Sequence, residues 1–164
     1  PYFYPADEDI ERVGVTGVFL GHYFFWDARK QLNIILEETG FSVKENGPIE
    51  GTYTNYENLD ERLVGLHDYL KFVKYGFGRA TDHACIDIRN KRLTRDEAKE
   101  LVKEHDGKYP HYGINSFVEY SEMSIEEIDK VIDSFTNPVL FAQDENGNFL
   151  HDENKNLVRN FEVV

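Results

Sequence analysis

Apolar positions recur with two different periods along this chain. Leu59, Leu63, Leu66, Leu70 and Val73 are spaced by alternating fours and threes. That spacing sets them on one stripe of an α-helix, so a helix is predicted from about Glu57 to Tyr75, broken by Gly76 and Gly78. By contrast, Val13-Gly-Val-Thr-Gly-Val-Phe-Leu-Gly21 is a β-branched, apolar run bounded by glycine. It predicts a short buried strand, with residues 1–12 as an extended lead-in ending in an acidic turn.

Capping residues mark further helices. Asp27 is placed to cap a helix reaching about Thr39, with Leu32, Ile35 and Leu36 on one side and Gly40 as its stop. Residues 41–56 hold Gly47, Pro48, Gly51 and several Asn and Thr, and predict a long loop. A helix is expected over 79–90. Thr94 with Glu97 forms a capping box that opens another, ending near His105. Gly107 and Pro110 signal a turn, and a short helix is expected over 113–121. Ser124 with Glu127 repeats the capping box and starts a last helix, which ends before Pro138.

Beyond Pro138 the pattern changes. Asp144-Glu-Asn-Gly-Asn-Phe-Leu150 and Asp152-Glu-Asn-Lys-Asn-Leu-Val158 are near copies, eight residues apart. Asn146-Gly147 is a strong hairpin signal, so a small β-meander is expected. The two copies lack the glycine and terminal glutamate positions of an EF-hand, which favours plain turns over calcium loops. The expected fold is therefore mainly α, with one short strand. Residues 1–137 would form the helical part and 138–164 a tail with a β-hairpin.

Composition narrows the class. At 164 residues the chain has room for one domain with a core. No run approaches the roughly 18 apolar residues of a transmembrane helix, and no signal peptide is visible, so no membrane insertion is expected. A single cysteine, Cys85, excludes an internal disulfide framework and a multi-cysteine metal cage. A reducing, cytoplasmic location is expected. Twelve Phe and ten Tyr predict a core dominated by aromatic packing, Trp26 included. The chain opens at Pro1 and holds one methionine, Met123, so it is expected to be a piece of something longer.

The total charge is −13, which disfavours nucleic acid as a partner. Residues 71–95 depart from that balance. They carry seven cations against two anions, +5, which leaves −18 for the rest of the chain. At about 100° per residue, Arg79, Asp82, His83 and Ile86 share one arc of the 79–90 helix, with Arg89 at its edge. Thr81, Ala84, Cys85 and Ile88 would face the other way and pack, leaving Cys85 a buried, inert thiol. A cation, a carboxylate and an imidazole at i, i+3 and i+4 suit a phosphate or sugar hydroxyls. They equally suit a helical ion pair beside a half-buried histidine. On the preceding helix, His67, Lys71 and Lys74 are spaced by four and three and would flank the same place. His22 follows the expected strand, where ligands of open α/β sheets lie. No His-x-x-x-His or Cys-x-x-Cys spacing is present, so no metal is expected.

Specific strings sharpen this. Val18-Phe-Leu-Gly-His-Tyr-Phe-Phe-Trp-Asp27, Gly51-Thr-Tyr-Thr-Asn-Tyr-Glu57, Gly76-Phe-Gly-Arg-Ala-Thr-Asp-His83 and Cys85-Ile-Asp-Ile-Arg-Asn-Lys-Arg92 resemble the N-acetyl sugar amidotransferases, enzymes of bacterial surface-polysaccharide and flagellin-sugar biosynthesis. The likeness spans about 1–137. It implies an α/β enzyme of the PP-loop ATP-pyrophosphatase type that uses ATP with Mg. Such an enzyme adenylates the acetamido carbonyl of a nucleotide-linked or free N-acetyl sugar. Ammonia from a separate glutaminase subunit then displaces AMP and leaves an acetamidino group. The Ser-Gly-Gly-x-Asp-Ser phosphate loop and the cysteine pairs of that family are absent from this chain. The resemblance therefore implies the helical C-terminal portion alone, with no tightly bound cofactor and no ATP hydrolysis of its own. It implies catalytic roles for Lys71 and Lys74 as charge stabilisers, Arg79 as an anion clamp, and Asp82 with His83 as an orienting pair. His22, His67 and Arg89 would contact substrate. The alternative is a non-catalytic module that docks the glutaminase.

Overall fold

A computed structural model describes residues 3–162. Among them lie eight helices: α1 Asp7–Val13, α2 Leu20–Tyr23, α3 Ala28–Glu38, α4 Val64–Tyr75, α5 Arg79–Arg89, α6 Arg95–His105, α7 His111–Ser121 and α8 Ile125–Phe135. The fold is mainly α, as the periodicity implied. The chain divides into two compact units, Pro1–Phe41 and Ser42–Val164.

In the first unit the expected lead-in is helical from Asp7 on, while residues 3–6 have no regular structure and residues 1 and 2 lie outside those described. Asp7, Glu8 and Asp9 occupy the first turn of α1, where the helix dipole favours negative charge. Gly14 closes the helix in the left-handed region at φ 73°. The strand expected over 13–21 is not formed: 14–19 has no regular structure and α2 begins at Leu20. A strand's N–H and C=O groups need a neighbouring strand, and none runs beside this segment among the described residues. Its apolar side chains stay exposed, and so does Trp26, at 62%; the expected core role for Trp26 is therefore overturned. Asp27 does cap α3, accepting from the Arg29 N–H at 3.2 Å.

The second unit has a packed centre. Leu66, Tyr69, Phe72 and Val73 of α4 meet Ile114 of α7, Ile128 and Ile132 of α8, and Phe141 and Leu157 of the tail. Here aromatic packing does lead, with the Phe72 and Phe141 rings 5.2 Å apart. A Cβ on Gly113 would lie 2.8 Å from the Leu66 backbone nitrogen, so glycine lets α7 approach α4. α4 starts at Val64 rather than Glu57. Asn58 takes a left-handed φ of 51°, which a continuing helix cannot hold, and the Glu61 side chain accepts from the Leu63 N–H at 2.6 Å.

Both capping boxes form, on α6 and α8. The tail is not an extended meander. Among the described residues it forms isolated antiparallel bridges, Phe141 with Arg159, Gln143 with Phe149 and His151 with Leu157. The eight-residue repeat closes a ring instead. Ala142 N–H donates to Val158 C=O at 2.8 Å, Leu150 to Ala142 at 2.9 Å, and Val158 to Leu150 at 2.9 Å. The repeats form the plain turns expected: the Asp144 carboxylate accepts from the backbone N–H of Asn146 and Asn148, and Asp152 does the same for Asn154 and Asn156.

α5 turns a different face inward than its sequence suggested. Ala80, His83, Ala84 and Asp87 are buried, at i, i+3, i+4 and i+7. Cys85, expected to pack, is exposed, as is Ile88. The polar residues can go inside because other parts of the unit supply their hydrogen-bond partners.

Candidate functional site

The site begins where α4 hands over to α5. Gly76 ends α4 at φ 80°. A Cβ on Gly78 would fall 2.6 Å from an Asp106 carboxylate oxygen, so that close approach requires glycine. Asp106 is buried (3% exposed). It accepts from Gly78 N–H at 2.9 Å, Ala80 N–H at 3.1 Å and the Thr81 hydroxyl at 2.7 Å. A carboxylate thus accepts from two backbone donors at the α5 N-terminus, and the Ala80 N–H also reaches the Gly51 carbonyl oxygen at 3.0 Å.

His83 lies one turn further, 5% exposed. Its Nε2 is 2.7 Å from a Glu57 carboxylate oxygen, and its Nδ1 is 2.6 Å from the Thr52 hydroxyl. An ionised carboxylate only accepts, so Nε2 carries the proton; in neutral His83, Nδ1 then accepts from Thr52. The same Glu57 oxygen pairs with Arg79. Hydrogen bonding from His83 outweighs partial burial and, with the nearby Arg79, holds the Glu57 carboxyl down at about 2. For Arg79, burial works against the charge, but contact with Glu57 and the fields of Asp68 and Asp82 leave its pKa raised. Asp82 pairs with Lys71 at 2.5 Å, and the Lys71 ammonium lies 4.5 Å from the Phe77 ring centre. Asp68 is half-buried, and that burial raises its pKa despite the cations near it. One turn further along the same buried face of α5, Asp87 accepts from Tyr53 at 2.9 Å and from Arg92 at 2.7 Å.

Lys71, Arg79, Asp82 and His83 are thus gathered around the α4–α5 junction. The positive island of the sequence does not become a positive wall there: Lys71 and Arg79 are each paired, and Glu57, Asp68 and Asp82 outnumber them. Lys74 leaves this group and lies over the Phe135 ring of α8 at 4.5 Å. His67 is exposed on α4, and Arg89 is exposed in the last turn of α5. His22 belongs to the first unit, its ring edge-on to Tyr23 at 5.3 Å.

Spacing arguments missed Glu57, Thr52, Asp68 and Asp106. By pattern Glu57 reads as a helix start and Thr52 as part of a loop; only the Gly51–Glu57 string points to them. Beside Arg79, Asp68 and Gly78 lies a crevice with room for about one water. The arrangement offers alternating donors and acceptors, which suits hydroxyl-rich ligands better than a bare polyanion. No group of three or more metal-ligating side chains is present among the described residues, and no described helix is long and apolar enough to cross a membrane.

A family model described as "LPS biosynthesis protein WbpG-like, C-terminal domain" matches residues 50–154. That span contains every residue gathered at the junction and lies wholly within the second unit. No curated protein matches the chain.

Proposed function

The chain belongs to the WbpG-like C-terminal domain family of lipopolysaccharide biosynthesis proteins, and from that premise we propose that it is the C-terminal part of an ATP-dependent sugar amidotransferase. In this reading an N-acetyl group on a nucleotide-linked or free sugar becomes an acetamidino group. ATP supplies the leaving group by adenylating the acetamido oxygen, and a glutaminase partner supplies ammonia.

The observation that carries the reading is the Arg79–Glu57–His83 contact set beside Lys71–Asp82, enclosed by the family span. A triphosphate needs uncompensated donors, and these cations are already engaged. The residues present do not make a cradle for ATP by themselves, so phosphate binding is left to a loop outside this chain. The role that fits is the sugar end. Arg79 and Lys71 donate to sugar oxygens, and Asp82 and Asp68 accept from its hydroxyls. Thr52 and Glu57 hold His83 in one tautomer and orientation. Paired charges held at fixed positions stabilise charge developing at the acetamido carbon without reorganising.

The test uses the complete protein with its phosphate loop. Arg79→Ala is expected to abolish product formation even when free ammonia replaces glutamine. If the ammonia-dependent reaction survives and only the glutamine-dependent one falls, this part docks the glutaminase and does not hold the sugar.

A further inference from the structure

A second cleft of about 280 Å³ borders α4 at Tyr69 and is lined further by Tyr109, Asp129, Asp133, His151 and Lys155. That is room for several heavy atoms rather than a single water. Asp129 and Asp133 sit one turn apart on α8. Asp129 is engaged: it accepts from the Tyr109 hydroxyl at 2.5 Å and from the Lys155 ammonium at 3.0 Å. The same ammonium stands 5.0 Å from the Tyr109 ring centre. The protein thus already holds one primary ammonium here, between a carboxylate and an aromatic face.

Beside it, three acceptors have no such guest. Tyr69 is only 4% exposed as a residue, and its hydroxyl makes no hydrogen bond among the described residues. The oxygen itself keeps access to the cleft, since no fully buried side-chain donor or acceptor is left unpartnered among the described residues. Burial, then the fields of Asp129, Asp133 and Asp152, push its pKa up, which sets the hydroxyl on the carboxylate side. The Asp133 carboxylate makes no hydrogen bond or ion pair, and partial burial raises its pKa although His151 nearby works the other way. His151 Nδ1 lies 3.1 Å from the Phe149 carbonyl oxygen. A carbonyl only accepts, so Nδ1 donates and neutral His151 keeps Nε2 as an acceptor. An –NH3⁺ group has three donors, and Asp133, Tyr69 and His151 offer three acceptors beside an aromatic wall. An anion would meet two carboxylates.

We propose that this cleft binds the protonated primary amine of a small organic molecule, with Asp133 as counter-charge and Tyr69 and His151 as the remaining acceptors. The ammonium could come from an organic amine or from free ammonium ion, and the cleft's volume favours the former. The site is independent of the function proposed above.

The chain is titrated at constant ionic strength with n-butylammonium, ammonium chloride and n-butanol, by calorimetry and by amide chemical shifts. Saturable butylammonium binding is expected, shifting amides of α8 and of residues 149–155, with no response to butanol. Asp133→Asn should weaken it about tenfold, the effect of losing one charged hydrogen bond. Tyr69→Phe, which keeps the ring in the core, should weaken it several-fold. Equal binding of butanol, saturation by ammonium alone, the absence of saturable binding, or full affinity in both variants would each overturn the proposal.

Discussion

The two units of this chain use the same side chains to opposite ends. Phe72 and Phe141 in the second are sealed, at 1% and 0% exposure, whereas Phe19, Phe24 and Phe25 in the first stand more than half in solvent. The difference lies in their backbones. α4 presents its stripe at helical spacing, and α7, α8 and the tail of the same unit present matching stripes to it. Residues 13–21 carry β-like sequence, whose side chains can be buried only once a neighbouring strand satisfies the main chain. Hydrophobic content alone, then, does not make a core; a partner of matching geometry is needed. The largest expected effect follows from this. Phe72→Ala should cost about 3–5 kcal/mol in urea unfolding, the range for removing a sealed aromatic. Phe25→Ala should change stability by under about 0.5 kcal/mol, as for an exposed position. Similar costs at both positions would erase the distinction between the units.

The second unit also carries buried charge, and acid tests it. The folded-state pKa of Glu57 lies at about 2, below its ordinary value of 4.5. The unfolded chain therefore binds the proton more readily, and stability is lost as pH falls from about 4.5 toward 2. Glu57→Gln should cost about 2 kcal/mol at neutral pH, discounting the full shift for its partial exposure. It should also flatten the slope of stability over that acid window, read by urea unfolding at stepped pH. A variant that keeps the wild-type slope would mean that Arg79 and His83 do not hold this carboxylate.

What could be read in advance divides along the same line. Helix ends are local chemistry, so the Thr94–Glu97 and Ser124–Glu127 boxes, the Asp27 cap and the Asp turns of the tail were legible from a few neighbouring residues. The mainly α class followed from stripe spacing. The expected strand failed because its pairing depends on a neighbour that no local pattern supplies. Half of the candidate site was legible, since Arg79, Asp82 and His83 share one arc of α5 and Lys71 flanks them from α4. The other half was not. Glu57 reaches His83 across 26 positions and Asp106 reaches Ala80 across the same number, and spacing within one helix cannot reveal such contacts. For the same reason the inward face of α5 was misassigned, because periodicity alone cannot show that buried His83 and Asp87 would find partners.

Caps give the finest version of the comparison, because they act alike in both units. Thr94 accepts from the Glu97 N–H at 3.3 Å, and Asp27 accepts from the Arg29 N–H at 3.2 Å. Replacing either by alanine removes a capping acceptor from a helix start, and loss of the cap alone is worth about 1 kcal/mol. The loss should register differently. α6 packs Ala98 and Val102 against Ala84 of α5, so Thr94→Ala should lower the cooperative unfolding midpoint of the second unit. α3 buries none of its own residues. Asp27→Ala should therefore leave that midpoint in place and appear as faster hydrogen exchange confined to residues 28–38. A shift in the main transition on losing the Asp27 cap would mean that the first unit folds as one with the second, and that its exposed aromatics contribute to a shared stability after all.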